Sequence, residues 1–354
     1  MIVTNMDTSR RLFYPNPLDD VEIHTAFQFR HPIQKGGGLF RDVSYTYFKS
    51  VETKRVEDAD AIVLVHNFKK QLSPESEAYI RSYADTAEAH KIPLYIFSCG
   101  DWTDVLVFDP RVYVFRMSLY ASTAGPKDIA IPTVTEDAPA ELLFIRPKQE
   151  KAVVGFCGMG DFKRLRKWAK YLVENMLIDI KSLFVPAVEA RKLGVYWRRA
   201  MMQSCSRSPR LINNFIVRKT FSGHAKSVEL DPAQARKEYL ETSANADFVL
   251  APKGDGNYSN RFIKTLAFGR IPVLVDTDVV LPLEDIIPYE KIIVRVPMKE
   301  IKNTAHYIET FYNAHSEEEW MACQKLARET FLKHLVQDTF FKYFFENLLP
   351  SRSA

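Results

Sequence analysis

Short, mostly apolar runs recur along this chain, and stretches with helix-start signals stand between them. "DADAIVLVHN" (58–67) is a run of this kind, ending in polar residues, and it suits a strand buried on both faces. In "SPESEAYIRSYADTAEAHK", which follows, Ser73 suits the N-cap, Pro74 the first helical position, and Glu75 and Glu77 the first turn. "IPLYIFSCGDW" is the next buried strand, and "VYVFRMS" and "KDIAIPT" are shorter ones. Strands alternating with helices mean a parallel sheet with helical crossovers.

The polar stretch at 134–151 interrupts this pattern and reads as a linker. A second α/β unit opens at "KAVVGFCGMGD", followed by a long helix over about 162–176. The order of elements between about 185 and 230 is not legible. Beyond it, "DPAQARKEYLETSANA" is a helix with Asp231 as N-cap, and "DFVLAP", "IPVLVD" and "KIIVRVP" are strands. The phenylalanine-rich helical tail must pack back on the body, since its apolar face would aggregate if exposed. The expected fold class is α/β, with two Rossmann-like domains (1–148 and 149–330) facing a central cleft and a closing helix at 331–354. Ligands of open α/β sheets bind at the carboxyl ends of the strands, so both sets of loops would share that cleft.

The 354 residues suffice for two cores, and 46% hydrophobic with 26% charged residues is an ordinary globular balance. A net charge of +4 argues against a nucleic-acid binder but allows one local anion pocket. The four cysteines are far apart, with no CxxC pair, so a zinc site or disulfide framework is not expected. No run has the length of a signal peptide or membrane span, and a soluble cytoplasmic protein is expected, with peripheral membrane association left open.

Four loops carry the candidate chemistry. In "PKGDGNYSNRFIKTLAFG", the glycines Gly254 and Gly256 let backbone N–H groups approach a ligand, and Ser259 caps a helix of about 260–268. Lys253, Asn257, Asn260, Arg261 and Lys264 surround that helix start. Free N–H groups, a positive helix end and cations converge there, which makes an anion site suited to a diphosphate. The alternative is a plain glycine turn capping a surface helix. "VVGFCGMGD" places Gly158 between strand and helix in a GxxGxG spacing rather than the dinucleotide GxGxxG, with Arg164 as a nearby cation. "QKGGGLFRD", with Lys35 and Gly37, resembles the K-x-G-G-L loop of glycogen and starch synthases. Asp276 and Asp278 form a D-x-D, which in some transferases holds a divalent ion. Loop capping or sugar-hydroxyl contacts suit the pair better here, so neither metal nor cofactor is expected.

The C-terminal line Pro252, Gly254, Ser259, Arg261, Gly269, Ile271, Pro272, Val273, Leu281, Pro282, Leu283 resembles the exostosin family of glycosyltransferases. "EDADAIVLVHN", "SCGDW" and "KDIAIPT" resemble, more loosely and in the same order, that family's N-terminal motifs. The resemblance implies a GT-B architecture, with the first domain on the acceptor side and the second on the donor side. It implies transfer of a sugar from a UDP- or GDP-sugar to a hydroxyl of a glycan acceptor, in cell-surface or capsular polysaccharide synthesis. Arg261 would contact the donor diphosphate, Ser259 would assist, and 253–257 would flank it. Lys264 stands where the family has a ribose-binding glutamate, and lysine cannot accept hydrogen bonds from ribose hydroxyls. A non-catalytic nucleotide- or sugar-binding partner of another transferase is the alternative. An inverting transfer needs a base from the first-domain loops, for which Asp101 and His66, each at a strand end, are the candidates.

Overall fold

The computed structural model describes residues 10–15, 46–68, 72–103, 109–162, 165–220 and 231–349. The first domain comprises β1 (Leu12–Phe13), α1 (Thr46–Ser50), β2 (Glu52–Thr53), β3 (Ala61–Asn67), α2 (Pro74–Ala89), β4 (Leu94–Phe97), β5 (Val112–Arg116) and β6 (Asp128–Ala130). Its strands lie in the order β2-β1-β3-β4-β5-β6, and every pairing is parallel. α2 starts as read: Ser73 accepts from the Ser76 N–H and Pro74 opens the helix.

In the second domain, β7 (Ala152–Met159), α3 (Leu165–Ser182), α4 (Gly194–Arg207), β8 (Leu211–Arg218), α5 (Pro232–Ala244), β9 (Phe248–Leu250), α6 (Asn260–Ala267), β10 (Ile271–Asp276) and β11 (Val294–Pro297) precede α7 (Thr304–Asn313) and α8 (Glu317–Thr330). This sheet runs β11-β10-β9-β7-β8, again parallel throughout. Buried Phe156, Phe248, Leu250, Val273 and Trp197 lie in its core. Strand β8 lies inside the stretch where the order was not legible. It is an edge strand with only Leu211 buried, and its two asparagines break the apolar run that marks buried strands. α3 runs six residues further than read, because "LIDIKS" continues the helix past Met176.

The chain then crosses back to the first domain. After α8, which opens with a Ser316–Glu319 capping box, α9 (Gln337–Tyr343) and the helical turn after it (Phe344–Leu348) lay Phe340, Phe341, Phe344 and Phe345 into the first sheet's core. The rings of Phe341, Phe344 and Phe345 meet Phe115, Tyr95 and Phe48 at 4.9–6.1 Å, in tilted or edge-to-face contacts. Each fully buried phenylalanine contributes about 1.5–3 kcal/mol, so this tail holds the first domain together. The α/β class, the two parallel sheets and the closing helix are thus all present.

The strand-end loops of the two sheets meet. Tyr120 bridges to Val279, and the Ala121 N–H donates to the Asp278 carbonyl at 2.8 Å. The space between the domains is therefore lined from both sides by loops at carboxyl strand ends.

Candidate functional site

The loop after β9 is built from two kinds of residue. Asn257, fully buried, is a clamp between the domains. Its N–H donates to Ser118 Oγ at 2.7 Å, and its Nδ2 donates to the carbonyls of Leu119 at 2.8 Å and Thr277 at 3.1 Å. Lys253, also buried, donates to Tyr120 Oη at 3.0 Å and to the Ala190 carbonyl at 2.9 Å. Burial pushes its ammonium down to about 8. Gly256 is buried against Asp101 and Ser118, and its N–H donates to Asp101 Oδ1 at 3.3 Å. Read from the sequence as donor contacts, Lys253, Gly256 and Asn257 instead close the domain junction.

The rest of the loop and α6 face the other way. Gly254 and Ser259 are half-buried and Asn260 is exposed. Ser259 occupies the N-cap position without using its hydroxyl to cap the helix. Arg261 reaches the end of β7, where its Nη2 donates to the Cys157 carbonyl at 3.0 Å and its guanidinium lies 4.5 Å from the Phe156 ring centre. Gly158 makes this possible. It has φ +153°, and a Cβ there would sit 2.8 Å from Arg261 Nη2. Gly158, read as a donor contact, is thus the seat of the arginine.

A second arginine joins it. Gly194 starts α4 against the carbonyls of Lys253 and Gly254, and one turn on, Arg198 Nη1 donates to the Met159 carbonyl at 2.9 Å. Burial, then repulsion from Arg261, pushes Arg198 down to about 10, while Asp255 pulls the other way. Burial likewise lowers Arg261. Both Nε atoms are enclosed without a partner, and neither guanidinium has a carboxylate partner among the described residues. Both residues are half-buried rather than fully enclosed. Buried charges are normally paired, and two adjacent unpaired guanidiniums form a site for a multiply charged anion. Sequence reasoning passed over Arg198, whose one signal was the basic "YWRRAMM" stretch.

Lys264 lies 5.3 Å from the Tyr239 ring centre. Burial lowers it first, Glu136 raises it, and Arg236 and Arg261 lower it again. It therefore adds a third positive charge near Arg261.

The D-x-D carboxylates are separately engaged. Asp276 pairs with Arg295 at 3.2 Å, and Asp278, at φ +59°, accepts from the Ser122 N–H at 2.9 Å. Asp278 thus caps a first-domain turn. On the first-domain side, Asn67 holds the loop after β4 through Cys99, donating to its carbonyl at 2.8 Å and accepting from its N–H at 2.6 Å. Asp101, on that loop, is exposed and next to Tyr258, whose phenol is pushed up by burial and then by Asp101. His66 lies in β3, but its side chain is outside the described residues, as are Lys35, Gly37 and Arg164. Behind the loop is a mostly apolar cavity of about 30 Å³ lined by Ile131, Phe262, Leu274 and Leu281, with room for about one water.

Two parallel α/β domains with two partly buried arginines, lacking acidic partners among the described residues, at the strand ends of one of them define a two-domain α/β cleft protein with a cationic pocket. Comparison with known proteins shows what parts of the chain are similar to. The Exostosin GT47 domain model matches residues 179–311, which include Arg198 and the whole 252–267 segment. Over 63 residues, 18% of this chain, the sequence is 43% identical to "Probable glucuronosyltransferase 47 A" of Physcomitrium patens and 41% identical to "Probable beta-1,4-xylosyltransferase IRX10" of Arabidopsis thaliana. It is 28% identical to "Probable glucuronosyltransferase GUT1" of Oryza sativa subsp. japonica over 127 residues, 34% of this chain. These stretches span only 14%, 15% and 30% of those relatives. Among solved structures, the chain is similar to WaaG, a glycosyltransferase involved in lipopolysaccharide biosynthesis (9% identity, TM-score 0.36, 81% of this chain and 91% of that one). It is also similar to the GtfA/B complex (11% identity, TM-score 0.38, 82% of this chain and 56% of that one). The resemblance stated from the motifs is borne out over the matched part: residues 179–311 are exostosin-like.

Proposed function

We propose that this chain is a glycosyltransferase that moves a sugar from a nucleoside-diphosphate sugar to a hydroxyl of a glycan acceptor. The observation that carries this reading is the pair Arg198 and Arg261, enclosed beside the end of β7 without acidic partners among the described residues. In glycosyl transfer the nucleoside diphosphate departs as negative charge develops on it. Two guanidiniums already fixed by the Cys157 and Met159 carbonyls stabilise that charge without reorganising. The N-terminal end of α6 adds its positive end to the same point.

Asp101 is the acceptor-side base in this reading. Its exposed carboxylate, on the first-domain rim, accepts a long 3.3 Å hydrogen bond from Gly256 N–H and faces the Tyr258 phenol, and substrate can displace the long bond. The cationic cluster does the work a divalent ion does in other transferases, so turnover should survive EDTA. The names of the relatives make glucuronosyl and xylosyl donors the first sugars to try. The acceptor is a growing glycan, in the synthesis of a cell-surface or capsular polysaccharide.

The test uses purified chain, a panel of UDP- and GDP-sugars, and EDTA. The expected result is slow donor hydrolysis, or transfer to a glycan acceptor, with the chelator present. Nucleotide binding without turnover on any donor would instead indicate the non-catalytic partner role and direct attention to Lys264. Loss of turnover in EDTA, restored by manganese, would move the mechanism to Asp276 and Asp278.

A further inference from the structure

Helix α3 is turned the wrong way for a core helix. Its inner side carries Tyr171 and Asn175, both buried, and Asn175 donates back to the Tyr171 carbonyl at 2.8 Å. Its outer side carries Leu172, Met176 and Ile180, four residues apart on one face and 60%, 54% and 49% exposed. The segment just past its end continues the stripe with Leu183 and Phe184, at 79% and 82% exposed. A surface helix in a doubly wound domain ordinarily turns its apolar stripe inward. A contiguous outward stripe marks a contact surface.

Its charges indicate what covers it. Arg166, Lys167, Lys170 and Lys181 are all exposed along the same helix. The two acids there are already engaged: Glu174 with Lys170 at 3.6 Å and Asp179 with Lys192 at 2.7 Å. The free balance of this face is therefore positive. A second copy docked antiparallel across a two-fold would set Arg166, Lys167 and Lys170 against Lys181, like charge on like charge. An anionic lipid surface complements both the stripe and its basic flank. α3 is not long and apolar enough to cross a bilayer, so it would lie in the interface.

We propose that α3 and the segment 183–185 form a membrane-docking face that recognises anionic phospholipid. It begins a few residues after the Met159 carbonyl that holds Arg198, so docking would set the donor side of the cleft near the lipid surface. The proposal does not depend on the chemistry at Arg261.

The experiment is co-sedimentation of the full chain with vesicles of phosphatidylcholine containing about one third phosphatidylglycerol, against pure phosphatidylcholine vesicles. Binding is expected on the anionic vesicles only, weakening as salt shortens the range of the charges. Met176→Glu with Phe184→Glu should abolish sedimentation while circular dichroism and Tm stay unchanged, because both side chains are exposed. Arg166→Gln, Lys170→Gln and Lys181→Gln together should weaken binding by about 10²-fold, from about fivefold per basic residue. Failure of the full chain to bind anionic vesicles would overturn the proposal. So would binding that both variant sets leave intact. A dimer in sedimentation velocity that Met176→Glu with Phe184→Glu dissolves, without vesicle binding by the parent, would assign the face to a second copy instead.

Discussion

The second domain encloses two sets of arginines, and what satisfies them differs. Arg270, fully buried, donates to the carbonyls of Ala244 at 3.0 Å and Phe144 at 2.9 Å and to Gln324 Oε1 at 3.0 Å. Beside it, Arg146 pairs with fully buried Asp247 at 2.9 Å, and the second Asp247 oxygen accepts the Val153 N–H at 2.8 Å. Arg198 and Arg261 have one backbone carbonyl each and an orphaned Nε. Burial pushes Arg198 and Arg270 alike down to about 10, so titration does not separate the two sets. Their partners do. A saturated arginine ties the linker segment to β9 and α8, whereas an unsaturated pair holds its remaining donors for a ligand.

The widest gap between the sets should come from Asp247→Ala. It strands Arg146 and the Val153 N–H, and breaking a buried pair costs about 3–5 kcal/mol. Denaturant unfolding should show that loss; a change under about 1 kcal/mol would mean water replaces the carboxylate and the network is not structural.

Arg261→Ala should do the reverse. Stability should hold, since the guanidinium has no ion pair to lose among the described residues and Phe262, Ile263 and Leu266 carry the buried face of α6. Turnover should fall by about 10²–10³, as on removal of one preorganised donor. Arg261→Lys should recover only part, because an ammonium lacks the two-pronged contact. Normal kcat and KM in Arg261→Ala would erase the distinction between the sets.

Arg198→Ala sharpens the comparison. Affinity for the free nucleoside diphosphate should drop about 10- to 100-fold, from the roughly 1.5–3 kcal/mol of a hydrogen bond to a charged group. Titration calorimetry showing unchanged affinity would leave Arg261 alone at the site.

The smallest effect tests the interdomain lysine. Lys253 is lowered to about 8 in the fold, against an ordinary value of 10.5. Between those values the unfolded chain holds a proton that the folded chain has lost, so this group makes stability rise with pH. From pH about 8 to about 9.5 its contribution should be about 1–2 kcal/mol, below the range where tyrosines of the unfolded chain ionise. Unfolding midpoints of the parent should gain on those of Lys253→Met across that window. Parallel curves would mean the ammonium is not desolvated.

Most of the sheet architecture was legible, because doubly buried strands such as β3, β4, β7 and β10 must be apolar runs and their helices need caps like Ser73 and Asp231. Strand β8 was not, since an edge position removes the demand for apolar residues on both faces. In the candidate site, Arg261 and Ser259 stood out because loop, cap and cation are neighbours in sequence. Arg198 did not, being 63 residues from Arg261 (261 − 198) and brought beside it only by α4 packing on the loop.

Sequence by itself determined local matters: where strands and caps fall, and that cations gather at the start of α6. Tertiary structure alone decided how each polar group is used. Lys253, Gly256 and Asn257 look like ligand contacts in a glycine loop, yet their partners Tyr120, Asp101 and Ser118 come from the other domain. Gly158 reads as a phosphate glycine and serves an arginine 103 residues away (261 − 158). The physical reason is that hydrogen-bond capacity is a property of residue type, whereas whether it is already taken depends on which distant groups the fold brings within about 3 Å.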